Sequence, residues 1–261
     1  MPPLLQTTFE RTLQGYAQGF RVDHIATYGL ETCSPTEEIE FVFQRLPDFD
    51  QIPVEKDDRI IGIIVRNDTD TFSGKVSDHM RILDDSLLVS SEEPLSEFLP
   101  LMAHPPYFRL VIQGAKIEGI VTRSDMLKLP VRLYAFALVI NLELLMKEII
   151  QEKLPEDSAW KPFLTEKRLE KLRNEHEHYK SLNLDLPLIE STCFCDKYVI
   201  IKKLLDLPKT FISDLGHIEN RLRNLVAHGV TFAGNEDKLL KFLNLIAKTQ
   251  YWIQALSQYL N

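Results

Sequence analysis

The sequence predicts an α+β protein: a pair of α/β repeats followed by an all-α helical bundle. Three observations predict it. Two segments of the first half share one order of helix-start signal, short β-branched runs and a glycine-bearing strand end. Pro130 closes that pattern, and apolar residues at helical spacing replace it. The chain has 261 residues, 44% of them hydrophobic, enough for one large or two modest cores. The expected boundaries are 1–129 for the repeats (about 15–75 and 76–129) and 130–261 for the helical bundle.

The first repeat opens with Cys33-Ser34-Pro35-Thr36-Glu37-Glu38-Ile39. Ser34 and Glu37 have capping-box spacing, and Pro35 suits the first helical position. Ile39, Val42, Phe43 and Leu46 then fall on one helix face. Two β-branched runs follow, Gln51–Val54 and Ile60–Val65, joined by Glu55-Lys56-Asp57-Asp58. They read as a hairpin. The second repeat retraces the order: Ser90 and Glu93 as the box, Arg109–Ile112 and Ile117–Thr122 as strands, Gln113-Gly114-Ala115 as the turn. One such unit is too small to bury its own sheet, and two packed together can do so.

These residues, from about 15 to 128, resemble a tandem CBS module. Members of that family carry Gly, two hydrophobic residues, Thr or Ser, two variable residues and Asp after the last strand. Gly119-Ile120-Val121-Thr122-Arg123-Ser124-Asp125 fits throughout, while the first copy, Gly62 to Asp68, has Val65 in place of the hydroxyl. The resemblance implies a cleft for an adenosine-containing ligand, an adenine nucleotide such as AMP, ADP or ATP. Thr122, Asp125 and, more weakly, Asp68 are then the ligand-binding residues. A carboxylate can accept both ribose hydroxyls, with the threonine hydroxyl one turn away. Asp125 can equally serve as a helix cap alone.

In the second half, Leu142, Leu145, Met146 and Ile149 mark one helix, and a charge-rich stretch from Leu164 to Tyr179 a second. Asp196 to Leu205, Thr210 to His228 and Glu236 to Leu260 complete an antiparallel bundle of four or five helices. Within it stands Arg223-Asn224-Leu225-Val226-Ala227-His228. Arg-Asn-x-x-x-His at the end of an amphipathic helix resembles the signature of HEPN domains, helical modules that often dimerise and many of which are metal-independent endoribonucleases. The resemblance covers about 131–261 and implies Arg223, Asn224 and His228 as catalytic residues. RNA supplies its own 2′-hydroxyl nucleophile. Histidine can move its proton, arginine can stabilise the phosphorane, and asparagine can orient either. Arg223 and His228 diverge by roughly 140° on an ideal helix, so they converge only if the helix frays at Gly229 or if the second subunit of a homodimer completes the cleft. The same residues can also form a buried network that fixes a dimer. Val230 stands where some HEPN toxins have a modified tyrosine.

A net charge of −8 excludes bulk coating of nucleic acid, so any RNA contact is local. Cys33, Cys193 and Cys195 are too few and too odd for a disulfide framework and fit a reducing compartment. The N-terminus lacks a secretory signal pattern. Asn141 and Glu143 interrupt the apolar run Val131–Ile140, which reads as a core helix of a cytoplasmic protein without a membrane partner. Cys193-Phe194-Cys195 lacks the second pair a zinc site needs, and Glu175-His176-Glu177-His178 reads as a solvated helix face, so no metal is expected. The leading expectation is a nucleotide-regulated ribonuclease that needs no cofactor for catalysis. The alternatives are a non-catalytic nucleotide sensor and scaffold, or a purely structural dimer.

Overall fold

A computed structural model describes residues 15, 19–66, 73–222 and 236–260. The chain divides into two compact units, one of residues 17–131 and the other holding the helices from residue 132 onward.

Among the described residues the α/β unit holds seven strands: β1 (Thr27–Tyr28), β2 (Gln51–Lys56), β3 (Arg59–Val65), β4 (Arg81–Ile82), β5 (Leu88–Ser90), β6 (Phe108–Gln113) and β7 (Lys116–Thr122). Its helices are α1 (Ile39–Arg45), α2 (Val76–His79) and α3 (Leu95–Leu101), with a 3-10 turn at Arg123–Leu127. The strands form a sheet of order β2-β3-β4 and one of order β1-β7-β6-β5. The repeat seen in the sequence is real in the backbone. Both hairpins, β2–β3 and β6–β7, close over two residues, and their registers shift at matching places, Val54/Glu55 and Val111/Ile112. Asp57 and Asp58 make the first turn with φ of 51° and 57°, values acidic residues tolerate better than most.

Edge strands are exchanged between the repeats. β1 lies early in the first repeat yet pairs with β7 of the second, and β4 lies early in the second yet pairs with β3 of the first. This exchange accounts for the glycine of each strand-end motif. A Cβ on Gly62 would stand 2.6 Å from the Arg81 carbonyl oxygen on β4, and one on Gly119 would stand 3.0 Å from that of Thr27 on β1. Any larger residue would push the borrowed strand away.

β3 alternates between two cores. Ile64 packs with Ile39, Val42, Phe43 and Val76 beneath α1. Ile63 and Val65 face the other way, onto Phe108, Leu110 and Ile120 of the second repeat. Each repeat thus completes the other, at roughly 1.5–3 kcal/mol for each aliphatic side chain buried.

The serine–glutamate boxes sit one step earlier than expected. Glu37 accepts the Ser34 N–H at 2.8 Å, but Pro35 and Thr36 form a turn, and α1 starts at Ile39. Ser90 ends β5, and α3 starts at Leu95. Extended backbone at Glu38 and Pro94 separates each turn from its helix.

The helical unit is built on α4 (Leu129–Lys153), α5 (Asp157–Trp160), α6 (Glu166–Ser181), α7 (Phe194–Leu204), α8 (Lys209–His217) and α9 (Glu236–Ser257). Val131, Tyr134, Ala135, Leu138, Leu142, Leu145 and Met146 bury one side of α4. Its other side departs from the core-helix expectation. Leu129, Leu133, Phe136 and Ile140 are exposed in a stripe, and by length and composition alone α4 could cross a membrane.

The expected single helix from Thr210 to His228 is not continuous: α8 ends at His217, and Ile218–Leu222 continue as a π-helix. Gly216 weakens the α-helical ladder just before that widening.

Candidate functional site

The motif at the end of β7 folds into a compact polar turn. Thr122 caps the 3-10 turn Arg123–Leu127. Asp125 is 5% exposed, and its carboxylate reaches back to the cap. Oδ2 accepts the Thr122 N–H at 2.6 Å and the Thr122 hydroxyl at 3.0 Å. Oδ1 accepts the Thr27 hydroxyl at 3.3 Å and the Lys128 ammonium at 2.8 Å. The Ser124 and Thr122 hydroxyls lie 2.8 Å apart, and the Arg123 guanidinium sits 5.3 Å above the Tyr107 ring. Hydroxyls, an aromatic plane and two cations therefore surround one half-exposed strand end.

Thr122 and Asp125 are brought together as the resemblance implied, and Asp125 also serves the turn's start, as the reciprocal partner of the Thr122 cap and not as the cap itself. Val65, the counterpart of Thr122, is buried in the core shared by the repeats. Arg66 beside it folds back over the Phe43 ring and donates to the Leu46 carbonyl at 2.9 Å. Asp68 lies outside the described residues, as do Arg223, Asn224 and His228. Sequence reasoning missed Lys128, Arg123, Tyr107 and Thr27. Lys128 had a signal, its spacing of three residues from Asp125. Thr27 had none, because only the strand exchange brings it close.

A cleft of about 940 Å³ opens elsewhere, between the two hairpin turns. Glu55, Asp57, Asp58 and Glu118 line it against only Arg59 and Lys116. It meets β7 at Lys116–Glu118, about 13–20 Å along the strand from Thr122. Its excess of carboxylates disfavours a phosphate there, whereas Arg123 and Lys128 favour one at the motif.

The cysteines are free. Burial, helped by Glu37, pushes the Cys33 thiol up to about 12, so it stays protonated. Cys193 caps α7, with Asp196 as its reciprocal partner. Among the described residues no group of three or more His, Cys, Asp and Glu is placed to hold a metal ion. The Glu175–His178 stretch is not wholly solvated, since Nδ1 of His176 is sealed off with no hydrogen-bond partner among the described residues.

Residues 76–132 match the CBS domain. The matched segment begins at α2 and ends just past the Thr122–Asp125 turn. Parts of the chain are also similar to solved structures at low identity. An uncharacterised conserved protein from Pyrococcus horikoshii aligns at 22% identity over 41% of this chain and 89% of that one, with a TM-score of 0.38. CBSX2 in complex with AMP aligns at 20% over 44% and 96%, with a TM-score of 0.38. The CBS domain of a bacterial CNNM/CorC family Mg2+ transporter in complex with ATP aligns at 15% over 45% and 90%, with a TM-score of 0.35. No curated protein matches the chain.

Proposed function

We propose that this protein is a nucleotide-sensing regulatory module whose helical half carries the output. The α/β unit binds an adenine nucleotide at the second CBS repeat, with Asp125 taking the ribose hydroxyls and Thr122 and Arg123 facing the phosphate. One observation carries this reading. The family's strand-end motif is folded as a unit, with Thr122 and Asp125 joined at 3.0 Å and flanked by the cations that a phosphate needs. The helical half then acts as an interaction scaffold, as a homodimer, and ligand binding biases its pairing.

A second reading gives that half an activity, metal-independent RNA cleavage by Arg223, Asn224 and His228. The π-helical turn at Ile218–Leu222 favours it, because such turns are frequent at functional sites and Arg223 is the next residue in the sequence.

AMP and ATP, the ligands of two of the structures above, are the first to test. Ligand at about 100 times its Kd stabilises a protein by about 2.7 kcal/mol, a readily measured rise in melting temperature. That rise is expected in the wild type and expected to vanish in Asp125→Asn. A wild type that responds to neither nucleotide overturns the sensor. In the same protein, RNA incubated with chelator and run on a denaturing gel tests the second reading. Cleavage lost in His228→Ala supports it, and intact RNA or equal cleavage removes it.

A further inference from the structure

The Asp125 carboxylate has no vacancy. A carboxylate offers about four acceptor positions. Two, on Oδ2, are filled by the backbone and hydroxyl of Thr122, and they hold the cap itself. The other two, on Oδ1, are filled by Thr27 and Lys128. A ligand with two neighbouring hydroxyls must displace the Oδ1 pair, because giving up the Oδ2 pair would unwind the turn that builds the site.

Lys128 is not a casual neighbour. Its ammonium also donates to the Ile25 carbonyl at 2.6 Å, and it lies 3.4 Å from that of Ala26 and 3.3 Å from the Thr27 hydroxyl. These acceptors belong to the segment that leads into β1, the exchanged strand. β1 is only two residues long and pairs with β7 at Thr27↔Ile120 and Tyr28↔Gly119. So one ammonium joins the carboxylate of the motif to the root of a short edge strand. Its side chain is 39% exposed, so it can leave the carboxylate for water at little cost.

We propose that Lys128 is a tethered competitor for the ligand's vicinal hydroxyls at Asp125, and that displacing it loosens the Ile25–Tyr28 segment from β7. The inference rests on the nucleotide reading of Thr122 and Asp125 and supplies its regulation. The chain keeps its own site closed with an ammonium, which sets a threshold for the ligand. It also converts binding into release of a strand.

Adenosine is the probe, since it carries both hydroxyls and no phosphate for Lys128 to attract. By calorimetry, Lys128→Met is expected to bind adenosine about fivefold more tightly than the wild type, the scale of one part-exposed ion pair removed. Equal or weaker binding by Lys128→Met overturns the competitor. If AMP, ATP and adenosine all fail to bind either protein, the nucleotide reading itself falls, and this inference with it. A second measurement needs no variant. In the wild type, saturating adenosine is expected to speed amide hydrogen exchange at Thr27 and Tyr28. Exchange that is unchanged or slowed there overturns the strand release.

Discussion

Asp196→Asn is expected to destabilise the helical unit by about 3 kcal/mol. Asp196 is 4% exposed and is gripped by Arg168 through two bonds of 2.6 and 2.5 Å. It also accepts the N–H and the thiol of Cys193, at 2.9 and 3.2 Å. One carboxylate therefore ties α6 to the start of α7 and caps that helix. Asparagine keeps the shape but cannot accept both guanidinium bonds, and it leaves the Arg168 charge uncompensated. Burial alone would push the Asp196 carboxyl up, but the Arg168 bonds and those of Cys193 outweigh it and hold the carboxyl below its ordinary value. Its contribution is thus fully present above the unfolded value, about 3.9, and is lost as pH falls through the depressed folded one. Both tryptophans, Trp160 and Trp252, lie in the helical unit, so their fluorescence during urea unfolding reports on it alone. The wild type should lose stability below about pH 4, and Asp196→Asn should lose less over that range. Arg168→Met should shrink that acid dependence, because the guanidinium that favours the charged carboxylate is gone while burial still opposes it. Equal unfolding midpoints for wild type and Asp196→Asn at pH 7 would remove the argument.

Much of the fold was legible because the α/β unit obeys local rules. The hairpins follow from β-branched runs around Asp57-Asp58 and Gly114-Ala115, and those turns were placed correctly. The serine–glutamate spacing identified the right turns but not the helix starts, since the same local hydrogen bonds can close a turn ahead of a helix. The exchange of β1 and β4 was invisible, because which edge a two-residue strand joins depends on contacts far away in sequence. The candidate site divides the same way. Thr122 and Asp125 were readable through the resemblance to the CBS strand-end motif, and the Thr122 hydroxyl does reach Asp125. That the carboxylate is already filled could not be read, since one of its partners, Thr27, arrives on the exchanged strand. In the helical half, the apolar spacing of Leu215, Ile218 and Leu222 read as one α-helix, and all three are indeed buried. The backbone instead widens to a π-turn at Ile218, and periodicity cannot distinguish the two over a single turn.

Trp252→Ala is expected to cost about 3–5 kcal/mol, the range for emptying a core site of a large aromatic. Trp252 is 4% exposed on α9 and packs edge-on against Phe211 of α8, their rings 4.6 Å apart. Its indole N–H donates to Asp214 at 3.0 Å, and Lys248 donates to the other oxygen of the same carboxylate at 2.5 Å. Asp214 is on α8, so a ring pair and a shared carboxylate hold α8 to α9. Trp252→Phe separates the two contributions. It keeps the ring contact but leaves one Asp214 oxygen without its donor, at an expected cost of about 1–1.5 kcal/mol. Urea unfolding followed by Trp160 fluorescence measures both variants, and equal losses in the two would show that the cavity adds nothing. The residues between these helices include Arg223, Asn224 and His228, so this clamp joins the two helices that flank, in sequence, the segment on which RNA cleavage would depend. Trp252→Phe should stay folded while relaxing that clamp, and the turn at Thr122–Asp125 has its own core. Nucleotide affinity unchanged in Trp252→Phe, with any RNA cleavage reduced, would assign sensing and output to separate units. Loss of both together would mean that the two halves do not act as independent parts.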